Sequence, residues 1–122
     1  MIEMLRSDEG VDLAPEIFRQ RLVIEGVPST AIDDEAIRTY LSELSDVCGM
    51  ITLIEPVTHR SERFGWAGWI HWETSGSHFY AWERPQLFFS VDIYTCKPFG
   101  PEEALDYTAR IFASTSCVGR TF

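Results

Sequence analysis

No stretch of the chain approaches the roughly 20 consecutive apolar residues that span a bilayer, and the opening segment MIEMLRSDEG lacks the basic-then-apolar order of a secretory signal. A cytoplasmic protein with no membrane partner is therefore expected. Cysteine is scarce: Cys48, Cys96 and Cys117 are odd in number and far apart, which argues against a disulfide framework and against a zinc site of closely spaced thiols. Any functional cysteine would act singly, as a thiol. Basic residues are few, 10 against 19 acidic, and the formal charge of −9 repels phosphate backbones, so nucleic acid is not expected as a partner. An acidic protein suits a cationic ligand, such as a sulfonium or an amine, better than an anionic one. Internal repeats and low-complexity segments are absent as well.

What is present fits one small domain: 122 residues, 45% of them hydrophobic. Residues 1–18 mix charges with Pro15 and read as an irregular arm, residues 19–113 as the domain, and the polar stretch 114–122 as a frayed tail. Arg21 to Glu25 reads as a first strand. Asp33 is a good N-cap, Ile32 and Ile37 are placed as a hydrophobic staple, and Gly49 is a natural stop, which predicts a helix over 34–48 with Ile37, Leu41, Leu44 and Cys48 on one face. Met50 to Glu55 reads as a second strand broken by Pro56, with His59 to Gly65 as a flexible connection. Three more strands are expected near Trp66 to Glu73, His78 to Trp82 and Leu87 to Cys96, separated by Ser-Gly-Ser and Glu-Arg-Pro-Gln turns. Pro101 to Phe112 carries Pro at a helix start, two glutamates in the first turn and an apolar stripe. The fold class that follows is α/β (α+β): a two-layer sandwich, its mostly antiparallel sheet covered by two helices on one face. An open sheet face on so small a domain makes a homodimer plausible.

The densest chemistry lies between Trp69 and Trp82, where a strand meets a Ser-Gly-Ser segment flanked by His71, Glu73, His78 and, just beyond, Glu83. As composition alone, this is a hairpin tip. His71 and Glu73 share a strand face, but no second spaced pair supports a metal site, and none is expected.

This stretch and its sequel resemble the small prokaryotic S-adenosylmethionine decarboxylases. Those enzymes carry a motif close to Glu-Ser-His-x-Ser-x-His-x-Trp, then an aromatic strand ending Val-Asp-x-Tyr/Phe-Thr/Ser-Cys, then a Pro-Glu-Lys-Ala helix. The chain offers Thr74-Ser75-Gly76-Ser77-His78-Phe79-Tyr80-Ala81-Trp82, then Ser90-Val91-Asp92-Ile93-Tyr94-Thr95-Cys96, then Pro101-Glu102-Glu103-Ala104. The resemblance spans about residues 20 to 112.

It implies that the chain cuts itself between Thr74 and Ser75, that Ser75 becomes a pyruvoyl (pyruvate) cofactor, and that this carbonyl forms a Schiff base with the substrate amine and serves as the electron sink for loss of carbon dioxide. Cys96 would protonate the product and Trp82 would stack on an adenine. Tyr80 and His78 complete the implied catalytic set, with Glu73, Phe64 and Glu83 as further substrate-binding residues. The implied substrate is an adenosyl compound or amino acid, in polyamine (spermidine-type) metabolism. The departures are specific: Thr74 replaces the family glutamate, Gly76 and Tyr80 replace two histidines, and Ala67 replaces a processing serine. Two alternatives stay open, an unprocessed relative that binds an adenosyl ligand and a non-catalytic dimeric partner subunit.

Overall fold

The computed structural model describes residues 11–122. The elements run β1 (Gln20–Val27), α1 (Asp34–Cys48), β2 (Thr52–Ser61), β3 (Gly65–Trp72), β4 (Ser75–Trp82), β5 (Phe88–Thr95), α2 (Pro101–Ile111) and β6 (Ser116–Thr121). One six-stranded sheet has the order β2-β3-β4-β5-β1-β6, and every neighbouring pair is antiparallel. α1 lies over β2 and β3, α2 over β1 and β6, and the helices touch one another.

Local chemistry explains both helices. Asp33 Oδ1 accepts the N–H of Ala36 at 2.9 Å, which satisfies one of the helix's orphan donors, and Asp34 and Glu35 complement the positive end. Gly49 ends α1 in the left-handed region at φ 67°, and the N–H of Met50 reaches back to Ser45 O at 2.8 Å. α2 starts on Pro101, whose missing N–H costs nothing in a first turn.

Period-two burial along the strands sends Ile70, Trp72, Phe79, Phe89, Val91 and Ile93 toward the helices, where they meet Ile37, Leu41 and Leu44. Each such side chain contributes about 1.5–3 kcal/mol of hydrophobic stabilisation. Tyr40 sits at the centre, fully buried, with its ring 5.2 Å from Phe79 and 5.0 Å from Phe112. Thr108 spends its one hydroxyl proton on Ala104 O at 2.7 Å, so the Tyr40 hydroxyl is the donor in their 2.8 Å contact.

Three expectations are corrected. The stretch 114–122 is not frayed, because Ser116–Thr121 pairs with β1 from Val27↔Ser116 to Leu22↔Thr121. β2 is not broken by Pro56: as an edge strand it absorbs the proline through register shifts between Thr52 and Val57, then runs on through His59 to Ser61. The hairpin between β3 and β4 does not turn at Ser75-Gly76-Ser77. Trp72 pairs with Ser75, so the turn is Glu73-Thr74 and the three small residues belong to β4. The arm over residues 1–18 falls partly outside the described residues; residues 11–19 form no helix or strand.

Candidate functional site

Because β4 begins at Ser75, alternation fixes what each residue faces. Ser75, Ser77, Phe79 and Ala81 point to the helices, and Gly76, His78, Tyr80 and Trp82 to the helix-free face. Ser75 is 6% exposed, and its Oγ accepts the backbone N–H of Cys96 at 3.0 Å. Cys96 therefore meets Ser75 through its main chain. Two further hydroxyls, Ser77 at 1% exposure and Thr95 at 0%, are buried on the same side without a hydrogen-bond partner among the described residues. Leaving such a group unpaired in an apolar surrounding costs about 1–3 kcal/mol.

The residue before Ser75 is strained. Thr74 has φ 55°, in the left-handed region where a β-branched residue is an outlier, and only this second residue of the two-residue turn has a positive φ. Glycine is the residue that such a position ordinarily takes. Strain of this kind amounts to about 1–3 kcal/mol, and here it sits in the backbone of Thr74, the residue whose carbonyl is joined to Ser75.

On the helix-free face a hollow of about 500 Å³ is lined by Thr74, Ser75 and Gly76 from the hairpin, with His71, His78 and Tyr94 beside them. Its far wall is the ion pair of Arg21 with Asp92, a two-point contact at 3.0 and 2.7 Å that raises the pKa of the guanidinium above its ordinary value. Other hollows, of about 420 Å³ at the start of α1 and about 510 Å³ between α2 and β6, lie on the helix side away from Ser75. Burial pushes the Cys48 thiol up to about 12 and also raises that of Cys117, which leaves both poor nucleophiles.

The remaining expected residues gather elsewhere. Trp82 closes β4 with its ring 5.4 Å from Phe88 and 6.2 Å from Tyr80. Glu83 follows, donating its N–H to Phe64 O at 2.7 Å and standing 3.8 Å from Arg60. From Ser75 to Trp82 a strand rising about 3.3 Å per residue covers about 23 Å, and to Tyr80 about 16 Å. Within one chain the structure thus brings Ser75, Cys96, His78 and the Thr74 turn together, and holds Tyr80, Trp82, Phe64 and Glu83 at the other end of the sheet. Glu73 lies in the turn itself, its N–H on Ile51 O at 3.0 Å. Tyr80 and Ala67, two of the positions that depart from the family motif, face one another across β3 and β4. Sequence reasoning missed the Arg21–Asp92 pair, the strain at Thr74 and the buried hydroxyl of Thr95. The alternation of Ser-Val-Asp-Ile-Tyr-Thr does signal that Asp92 and Tyr94 share a face.

A six-stranded antiparallel sheet backed by two helices, with a strained hairpin leading into a buried serine, defines a two-layer α+β sandwich whose candidate chemistry lies at one end of its fourth strand. The family model described as S-adenosylmethionine decarboxylase matches residues 23–122, and the chain belongs to that family. The fold is similar to the crystal structure of the adenosylmethionine decarboxylase from Aquifex aeolicus, with a TM-score of 0.72 and 14% identity over 87% of this chain and 89% of that one. No curated protein matches the chain.

Proposed function

We propose that the chain is a pyruvoyl-type S-adenosylmethionine decarboxylase acting in polyamine formation, with Ser75 as precursor of the cofactor. The observation that carries this reading is the Thr74–Ser75 peptide. Its carbonyl side is a β-branched residue at φ 55°, and its hydroxyl side is a serine fixed by the Cys96 N–H at 3.0 Å. A strained backbone at the residue whose carbonyl is to be attacked and a serine hydroxyl held next to it suit self-cleavage. A pyruvoyl group at this position supplies the electron sink that decarboxylation needs. The hollow on the helix-free face gives the substrate room beside that position, and Cys96, whose main chain adjoins Ser75, is assigned the return of a proton to the product. Trp82, with Phe64 and Glu83, offers an aromatic and acidic seat for an adenosyl sulfonium.

Both ends of β4 are needed for one substrate, yet they lie about 23 Å apart along the strand. A second copy packing its helix-free face on the first, with the two β4 strands running in opposite directions, brings Trp82 of one copy to Ser75 of the other. Exposed Val57, Tyr80, Tyr94 and Val118 supply the apolar contact on that face. The dimer is thus part of the proposal.

The test is release of labelled carbon dioxide from carboxyl-labelled S-adenosylmethionine by the wild-type chain, by Ser75→Ala and Trp82→Ala singly, and by the two variants co-expressed. The wild type is expected to be active, each variant to lose activity, and the co-expressed pair to regain it, because one of its two sites keeps both residues. An inactive wild type contradicts the reading. A pair that stays inactive contradicts the shared site. Gly76, Tyr80 and Ala67 favour the second reading, an unprocessed relative that binds an adenosyl ligand, and that chain binds S-adenosylmethionine without releasing carbon dioxide.

A further inference from the structure

We infer that Arg21 holds the α-carboxylate of the substrate in the hollow beside Ser75, and that through this contact the site prefers substrate over decarboxylated product. The inference rests on the reading of that hollow as the place of reaction, and it assigns a role to an arginine outside the motif around Ser75.

Arg21 reaches the hollow from two strands away. On the helix-free face Gly76 of β4, Tyr94 of β5 and Arg21 of β1 stand in one row, since Gly76 pairs with Tyr94 and Tyr94 with Arg21. Neighbouring strands lie about 4.7–4.9 Å apart, so the Arg21 Cα is about 10 Å from that of Gly76. The side chain closes part of this gap, because its partner Asp92 is on β5, between β1 and β4. Arg21, Tyr94, Gly76 and Ser75 line the same hollow of about 500 Å³, and Gly76 puts no side chain into it.

The guanidinium is held on two sides. Asp92 accepts from Nε at 3.0 Å and from Nη2 at 2.7 Å. The group also lies over the Phe122 ring, 5.1 Å from its centroid, and the Phe122 N–H donates to Arg21 O at 3.1 Å. A guanidinium carries five N–H donors in a rigid fork, and Asp92 uses two of them. The edge formed by Nη1 and the second Nη2 hydrogen has no partner among the described residues. Two parallel donors at such an edge match the two oxygens of a carboxylate.

Charge favours the same assignment. Arg21 is the one permanently cationic side chain lining the hollow, and Asp92, its one carboxylate, is already paired with it on the opposite edge. Elsewhere a chain of net charge −9 repels an anionic group. A second copy laid on this face, as in the proposed dimer, excludes water from the contact and strengthens it.

Such a contact separates substrate from product. The carboxylate leaves as neutral carbon dioxide, so the contact with Arg21 exists in the bound substrate, weakens as the carbon–carbon bond breaks and is absent from the product. Binding made in the ground state alone lowers KM and does not raise kcat. The decarboxylated amine, without this anchor, leaves more readily.

The experiment uses the full-length chain carrying Arg21→Gln, Arg21→Lys, the pair Arg21→Gln with Asp92→Asn, or Arg110→Gln, which removes the same charge from the exposed face of α2. Arg21 is about half exposed, so its variants are expected to fold, checked by circular dichroism. Each change is made in a Ser75→Ala background, which forms no carbonyl, and calorimetry measures the Kd of S-adenosylmethionine and of its decarboxylated form. Arg21→Gln is expected to weaken S-adenosylmethionine about 10- to 100-fold, the range for a lost hydrogen bond between charged groups, and the decarboxylated form by less than about twofold. Arg21→Lys, which keeps the charge and loses the fork, falls between, and Arg110→Gln changes neither ligand. The weakening persists in the pair; its disappearance there would assign the effect to repulsion by a bared Asp92 and overturn the role of Arg21. Where Ser75 is present, Arg21→Gln raises KM and leaves kcat within about twofold. Equal weakening of both ligands, weakening of neither, or a fall in kcat at unchanged KM overturns the role of Arg21 alone. A chain that binds neither ligand and, with Ser75 present, releases no carbon dioxide overturns the proposed function together with this role.

Discussion

The backbone N–H of Cys96 donates to Ser75 Oγ at 3.0 Å, so the residue expected to serve the reaction with its thiol holds the Ser75 hydroxyl with its main chain. The two roles separate by mutation. Cys96→Ala keeps the N–H and is expected to self-cleave at the wild-type rate, while decarboxylation falls by about 100-fold or more for want of the proton donor. Intact mass reads the first and carbon dioxide release the second. A Cys96→Ala chain that stays whole would place the thiol in the cleavage step instead.

Thr74→Gly removes the β-branched side chain from φ 55°. Strain relief of about 1–3 kcal/mol, offset in part by about 0.5–1 kcal/mol of glycine's backbone entropy, leaves the fold slightly more stable. Relief of the backbone strain beside the Thr74–Ser75 peptide is expected to slow cleavage. Thermal melting and a time course of fragment appearance measure the two effects, and faster cleavage would show that strain at Thr74 plays no part.

Thr95→Val exchanges an unpartnered buried hydroxyl for a methyl group of the same shape. Removing an unsatisfied polar group is expected to raise stability by about 1 kcal/mol, and loss of a hydroxyl beside Ser75 to slow cleavage. The register supports that proximity: Gly76 pairs with Tyr94, which sets Ser75 against Thr95 one step on. Opposite signs for stability and cleavage mark a functional hydroxyl, whereas a loss of both would make Thr95 a structural residue.

Alkaline pH should weaken the fold through Cys48. Burial, with a smaller contribution from Glu103, raises its thiol from 9.0 to about 12 in the folded chain. A raised folded pKa leaves stability intact below pH 9, where the thiol is neutral in both states. Stability is then lost between about 9 and 12 as the unfolded thiol ionises and the folded one does not. Urea titrations of wild type and Cys48→Ala at pH 8 and pH 10.5 measure this: the wild type is the more stable at pH 8, and the gap between them narrows at the higher pH.

The helices were legible because their signals are local. An N-cap aspartate, a C-terminal glycine and an apolar stripe specify α1 without reference to the sheet, and Pro101 with two glutamates does the same for α2. The hairpin tip was misplaced because Ser-Gly-Ser has turn composition, whereas the turn is the less typical Glu73-Thr74; small residues suit β4 there because Ser75 and Ser77 lie buried under the helices and Gly76 lies against His71. β6 gave no signal because an edge strand of Ser-Cys-Val-Gly-Arg-Thr has no continuous apolar face, and its register comes from β1. Ser75, Cys96 and Trp82 could be named from the motif. Their division between the two ends of β4 could not, because spacing along a sequence carries no distance until the strand is known to run straight through it.

The central claim is that the Thr74–Ser75 peptide is the site of self-cleavage, and intact mass of the purified wild-type chain in denaturant tests it most directly. The account predicts two fragments, residues 1–74 and 75–122, the second beginning with a carbonyl that cyanoborohydride and an amine convert to a stable adduct. A single whole chain, unchanged in mass after that treatment, would contradict it.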